Sequence, residues 1–328
     1  MKRTYYLLLI TFVLSMPSGI IAQTCSCAGA PLLNSQSMGA VEKGNVVLGV
    51  TADFNKIDKL YSGADELNNR SSERETFTSL FEVNYGLSSR FTFSGTFSFV
   101  QKSRTTGLQG SINSRELETS GIGDAVVMLK YDVIEQTLWR PYQLMVGGGV
   151  KAPIGSNSIR TDGIALNADM QPGTGSWDGI GWMLFSYTLR SQNMSFYTIN
   201  SFKKNSSASR FSQDDQYRFG DELNSILGVS RPAFDRFSLS LQLKYRAAEA
   251  DLRNDSKMPS TGGEWMNLAP GLGYTITDRF SIQLAGEVPV YQNVNGTQPT
   301  TTYKLTASLF FSFNKSDSGF RLGLPNQE

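Results

Sequence analysis

The sequence predicts an all-β fold, an antiparallel up-and-down β-barrel of about 12 strands that crosses a membrane. Three observations predict it. Apolar and polar residues alternate with a period of two from residue 45 onward. The clearest segments run to about ten residues, longer than the usual globular strand and close to what crosses a bilayer at a tilt. Short turns and long polar loops also follow one another in regular exchange along the chain. A soluble sandwich would show the same alternation around a core, but it has no reason to sort its connections so regularly.

The chain opens with Lys2 and Arg3, an apolar run from Tyr5 to Met16, then Pro17-Ser18-Gly19 and the small-residue end Ile20-Ile21-Ala22. That order is a secretory signal peptide, 1–22, whose apolar core is too short for the spanning helix of about 20 residues. Residues 23–44 follow as a short periplasmic segment, 45–314 as the barrel and 315–328 as a C-terminal tail. The two cysteines, Cys25 and Cys27, lie just after the cleavage site. Three readings stay open for them: inert or oxidised thiols in a flexible segment, a weak soft-metal or thiol-exchange site, or lipidation. No later stretch is apolar for long enough to form a spanning helix.

Among the strands, FTFSGTFSFV at 91–100 sets Phe91, Phe93, Phe97 and Phe99 against Thr92, Ser94, Thr96 and Ser98. FSLSLQLKYR at 237–246, FSIQLAGEVPVY at 280–291 and YKLTASLFFSF at 303–313 repeat the pattern. Further strands are expected near 45–56, 76–87, 119–134, 141–152, 176–190, 193–203, 218–231 and 264–276. Long loops are expected near 57–75, 102–118, 153–175, 204–217, 249–263 and 292–301. Aromatics near strand ends, including Tyr85, Phe91, Tyr131, Tyr142, Tyr245, Tyr274, Phe280, Tyr291 and Tyr303, fit interfacial girdles. With 31 glycines and an aromatic share of 11% the composition suits a twisted sheet.

Two classes of function are disfavoured at this stage. The chain contains no histidine, which removes His-dependent nucleophilic catalysis and His-ligated zinc and argues against an enzyme. A formal charge of +1 leaves no basic field for nucleic acid. The glycine-rich MQPGTGSWDGIGW, 170–182, is not a phosphate loop, since no Gly-Lys-Ser/Thr follows Gly173 at the required spacing, and Asp178 stands where a dinucleotide fingerprint needs its third glycine. Its glycines, like Gly147-Gly148-Gly149, leave room for curvature or for a bulky neighbour. The segment between these stretches is expected to constrict the mouth.

GIGDAVVMLKY at 121–131, KAPIG at 151–155 and QPGTGSWDG at 171–179 together resemble the outer-membrane barrel family associated with the MetA pathway of phenol degradation. The resemblance implies a barrel that passes small hydrophobic or aromatic compounds, with no catalytic residues to carry over. With the apolar faces turned to lipid, the lumen-lining set is Asp124, Lys130, Asp132, Lys151, Lys244, Arg246, Glu287 and Lys304, with Asp178 and Glu222 beside them. Such groups either set ion preference as a charge ladder or pair with one another. Met128 and Phe310 fall on this otherwise polar face. The expectation is an outer-membrane channel for passive diffusion of small molecules, with a structural or adhesive barrel of closed lumen as the alternative. Neither needs a cofactor. The expected partners are outer-membrane lipid, a small solute and, during biogenesis, the barrel-assembly machinery.

Overall fold

The computed structural model describes residues 40–68, 72–107, 115–211 and 215–313. The expected signal peptide, Cys25, Cys27 and the expected C-terminal tail lie outside them. The wall consists of β1 (Val46–Gly63), β2 (Ser72–Gly86), β3 (Phe91–Thr106), β4 (Ala125–Ile134), β5 (Tyr142–Ala152), β6 (Asp178–Leu189), β7 (Met194–Lys204), β8 (Glu222–Phe234), β9 (Phe237–Ala248), β10 (Gly263–Thr277) and β11 (Phe280–Phe313). Each pairs antiparallel with the next, and β11 closes the sheet on β1 with Val46 opposite Phe313.

Antiparallel closure demands an even number of crossings, so β11 cannot be a single pass. Its 34 residues form two arms: Phe280 to Val294 pair with β10, and Val294 to Phe313 pair with β1. The chain reverses at Asn295-Gly296, where Gly296 takes a left-handed φ of 60°. Eleven strand elements therefore make twelve crossings. The expected loop at 292–301 is strand. β1 and β3 likewise run past the lengths expected of them, β3 to 16 residues. Beyond the hydrocarbon layer both faces of a strand meet water, so alternation stops marking it while its backbone ladder continues.

One expected strand is broken. The alternation predicts a continuous strand over 119–134, but Arg115–Ile122 and β4 pair successively with β3, separated by Gly123 and Asp124. Asp124 leaves the ladder because its carboxylate serves backbone amides of the following long loop.

The alternation sorts the two sides as expected. Phe91, Phe93, Phe97 and Phe99 are exposed on the outside, while Thr92, Ser94, Thr96 and Ser98 are buried inside. At the short-turn end the aromatics meet in pairs, Phe91 with Tyr131 (ring centroids 4.8 Å apart), Phe237 with Tyr274 (4.6 Å) and Phe311 with Phe313 (4.5 Å). That is the placement of an interfacial girdle. The entering residues 40–45 lie against the inner wall, with the Val41 amide donating to Thr92 Oγ1 at 3.0 Å and Val41 packed on Val47 and Phe310.

The interior is less polar than the expectation of a water-lined face. Leu80, Val126, Met128, Met145, Ile180, Trp182, Leu184, Ile199 and Ile226 form one buried apolar cluster. They come from β2 and from β4 through β8, so they converge inside the barrel. Met128 and Phe310 do face inward. Sequence pattern could not separate the sides here, because β6 is apolar on both: Ile180, Trp182 and Leu184 inside, Met183, Phe185 and Tyr187 outside.

Candidate functional site: the barrel interior and its outer cap

Of the eight charged residues expected to line the lumen, Asp124, Lys130, Asp132, Lys151 and Glu287 are buried and Lys244, Arg246 and Lys304 half-buried, and most meet a partner of opposite charge. Asp124 and Lys151 are brought together at 2.7 Å, and Asp178 joins Lys151 from the other side at 2.7 Å. Lys244 pairs with Glu287 at 2.8 Å, and Glu287 also accepts from Asn267. Arg246 pairs with Glu222 at 3.1 Å and lays its guanidinium 4.7 Å from the centre of the Trp265 ring. Lys304 meets Asp53 at 3.4 Å, a partner the sequence did not indicate. Asp132 accepts from Gln143 at 2.7 Å instead of meeting a cation. Lys130 stands apart: among the described residues no carboxylate lies within 4 Å of its ammonium, which sits 5.0 Å from the centre of the Trp182 ring. Opposite charges that neutralise one another in this way do not build a field of one sign.

The densest cluster lies where β4, β5 and β6 begin or end. Asp124 is fully buried. It accepts from Lys151 Nζ, from Thr174 Oγ1 at 2.6 Å, from the Thr174 amide at 3.0 Å and from the Gly155 amide at 3.2 Å. Lys151 also donates to Thr174 Oγ1 and to the Ser176 carbonyl. Asp178 accepts from Ser176 Oγ at 2.9 Å and from the Ser206 amide at 3.0 Å. All three glycine-rich motifs singled out in the sequence converge here. GIGDA supplies Asp124, KAPIG supplies Lys151 and Gly155, and QPGTGSWDG supplies Thr174, Ser176 and Asp178. Their glycines are also packed backbone to backbone: a Cβ on Gly155 would lie 2.7 Å from the Gly173 Cα, and one on Gly173 would lie 2.6 Å from Gly155. In β6, by contrast, Gly179 and Gly181 have open space around them and make room for no neighbour.

From this anchor the long loop turns inward. Asp169 pairs with Arg74 at 2.6 Å, and Lys102 donates to the carbonyls of Asp169 and Gln171 at 2.9 and 2.8 Å. Thr119 Oγ1 donates to the Met170 carbonyl at 2.8 Å. Gln171 is fully buried and ties the loop to itself through Ile159 and Leu166. The expected constriction at the mouth is present as this inward fold. Arg74, Lys102 and Gln171 were missed by sequence reasoning, since each is an ordinary polar residue in a polar stretch and only the register brings them together.

Two more loops close over it. Ala208–Phe211, Asp215–Arg218, Leu252–Arg253 and Ser256–Lys257 form a small antiparallel sheet. Its core is Ala208, Phe211, Tyr217 and Phe219, against which Ala168 and Met258 pack. Beneath it Asp251, fully buried, accepts from the Tyr217 hydroxyl and, at 2.8 Å, from the Gly220 amide. Burial pushes the Asp251 carboxyl from 3.8 up to about 7, against the lowering effect of those two hydrogen bonds, and also raises the Tyr217 phenol.

A pH dependence of the cap follows. The folded carboxyl keeps its proton to about pH 7, whereas an exposed one releases it near 3.8. The folded cap therefore binds more protons across that window and loses stability as the pH rises through it. Hydrogen exchange of the Asp215–Arg218 amides, corrected for intrinsic rate, is expected to be faster at pH 8 than at pH 5. Asp251→Asn is expected to flatten that difference, and a difference that persists in the variant would clear Asp251 as its source.

No family model matches the chain, and a search of curated proteins finds no relative. Among solved structures, an outer-membrane channel from Pseudomonas putida F1 superposes with a TM-score of 0.69 at 14% identity, over 86% of this chain and 100% of that one. The translocator domain of the autotransporter NalP from Neisseria meningitidis aligns with a TM-score of 0.46 at 10% identity, over 84% and 91%. The P. putida toluene transporter TodX aligns at 0.44 and 9% identity, over 86% and 93%. The first likeness establishes the fold, that of an outer-membrane β-barrel. The resemblance to the phenol-degradation family rests on the residues quoted for it and not on a family match.

Proposed function

We propose that this chain is an outer-membrane channel through which small molecules, apolar and aromatic ones among them, diffuse passively. The observation that carries the reading is the mixed interior: one continuous apolar cluster from β2 and β4 to β8, beside charges that are largely paired. An apolar wall offers a solute with a hydrophobic body somewhere to rest between two aqueous compartments, and paired charges give no strong ion preference. The secretory signal peptide and the lipid-facing aromatic surface support a place in the outer membrane, reached through the barrel-assembly machinery. The residue chemistry suits a non-enzymatic role, as the chain has no histidine and its clustered carboxylates hold loop amides and lysines.

A second reading, a structural or adhesive barrel with a closed lumen, is favoured by the interlocked cap. The two separate on transport. Protein reconstituted in planar bilayers is expected to give discrete conductance steps without marked ion preference, and loaded vesicles are expected to take up small aromatic solutes. Absence of both steps and uptake would eliminate the channel and leave the closed barrel.

A further inference from the structure

We propose that the short-turn end of the barrel is a binding surface for the phosphate groups of anionic glycerophospholipids in the leaflet that it meets. The inference rests on the place of the barrel in a bilayer and not on what passes through it.

Each of the five short turns carries an exposed arginine: Arg90, Arg140, Arg190, Arg236 and Arg279. Three of them occupy the same rung of the sheet. Arg90, Arg236 and Arg279 directly precede β3, β9 and β11, and their carbonyls accept from the amides of Asp132, Thr275 and Ser312 at 2.9, 2.9 and 2.8 Å. The next residue in each case is a phenylalanine of the girdle: Phe91 against Tyr131, Phe237 against Tyr274, Phe280 against Phe311. These arginines therefore stand one residue, about 3 Å along the strand, beyond the aromatic belt, at the level of the lipid headgroups. Arg231 lies within the lipid-facing file itself. It is paired with Leu239, an exposed residue of that file, and directly opposed residues share one face of a sheet. A cation in that place is tolerated when its head reaches the phosphate layer.

The two ends of the barrel differ in what their cations meet. At the outer end Lys56, Lys59, Arg74 and Arg115 each pair with a carboxylate. Of the six arginines at the short-turn end, only Arg90 does so among the described residues, with Glu135 at 3.3 Å. Asp235 and Asp278 adjoin Arg236 and Arg279 in sequence and pair with neither. Arg190 donates to the carbonyls of Thr137 and Leu138, and Arg236 to that of Ile276 at 3.0 Å. Those bonds brace the turns against one another and leave further N–H donors for an anion. The same turns expose apolar side chains, Trp139 at 95% and Phe234 at 78%. Guanidinium groups beside bare aromatic rings, continuing the girdle, match a layer that offers phosphate and hydrocarbon together.

The test places the full-length barrel in phosphatidylcholine bilayers and measures the lipid held at its surface by electron spin resonance. Spin-labelled phosphatidylglycerol and phosphatidylcholine are the probes. Wild type is expected to hold phosphatidylglycerol about five-fold more strongly, and to lose that preference at about 1 M salt. The triple variant Arg140→Gln, Arg231→Gln, Arg279→Gln breaks no ion pair and is expected to lower the ratio to about two-fold or less. The matching lysine triple keeps the charge and is expected to keep the ratio; its loss there too would trace the effect to disturbed turns and overturn the assignment. A ratio unchanged in the glutamine triple would overturn it as well. Equal association of both probes with wild type would remove the surface, leave the barrel in its bilayer and give the rim to an acidic periplasmic partner. Absence of restricted lipid of either kind would instead remove the bilayer placement.

Discussion

Replacing Lys151 with methionine is expected to destabilise the barrel by about 3–5 kcal/mol, the range for breaking a buried ion pair from one side. Lys151 is 2% exposed and touches two carboxylates, Asp124 and Asp178, both at 2.7 Å. Methionine preserves the volume and removes the charge, leaving two buried anions beside each other in a site that excludes water. Both carboxylates also hold loop amides, so the long loop is expected to loosen with the wall. Urea titration in lipid, read by the heat-modifiable gel shift, reports the change as a lowered midpoint. The triple variant Lys151→Met, Asp124→Asn, Asp178→Asn keeps similar shape without buried charge and is expected to recover much of the loss. An unchanged midpoint in the single variant would show that the cluster is hydrated and weak.

Gly155→Ala is expected to cost about 2–3 kcal/mol, toward the upper end for overpacking. Its methyl group would lie 2.7 Å from the Gly173 Cα, 2.8 Å from the Gly123 carbonyl carbon and 2.9 Å from the Asp124 amide nitrogen. Every one of these is backbone, so no side chain can swing aside. The strand break and the descending loop would have to part, releasing residues 168–171 from Arg74 and Lys102. A larger unit conductance is the expected functional mark. Gly179→Ala and Gly181→Ala, with nothing within 4 Å, serve as controls and are expected to change the midpoint by less than about 0.5 kcal/mol. Equal effects at Gly155 and Gly181 would refute the packing.

Much of the wall was legible because lipid and water impose opposite chemistry on its two sides. FTFSGTFSFV and FSLSLQLKYR carry that contrast residue by residue. The strand ends were not legible, since the contrast vanishes above the membrane, and the arms of β11 therefore extend through what reads as a polar loop. The break at Gly123-Asp124 escaped for another reason. An aspartate that leaves the ladder to hold amides of a loop some 30 residues further on looks the same in sequence as one that points into water. Asp124, Lys151 and Asp178 were each assigned to the interior, but their union depends on register, with Lys151 opposite Asp178 and Ala152 opposite Ala125. Period two says which side a residue faces and nothing about its neighbour. Trp182 stayed hidden because β6 is apolar on both faces.

The closure of β11 on β1 also governs how such a chain must reach its native state. Thr51 donates to Ser308, 257 positions away in sequence, and the whole seam from Val46 to Gly63 is paired with residues of the final arm. Every other backbone pairing in the wall is between strands that follow one another, so hairpins can form early and locally. The seam cannot form until the last arm is present, and bringing its ends together carries the largest loop-closure entropy in the molecule. Until then both edges expose unpaired backbone, a template for pairing with other chains. Closure is accordingly the slow and aggregation-exposed step of folding, and substitutions along the seam are expected to act on assembly rate more than those anywhere else in the wall.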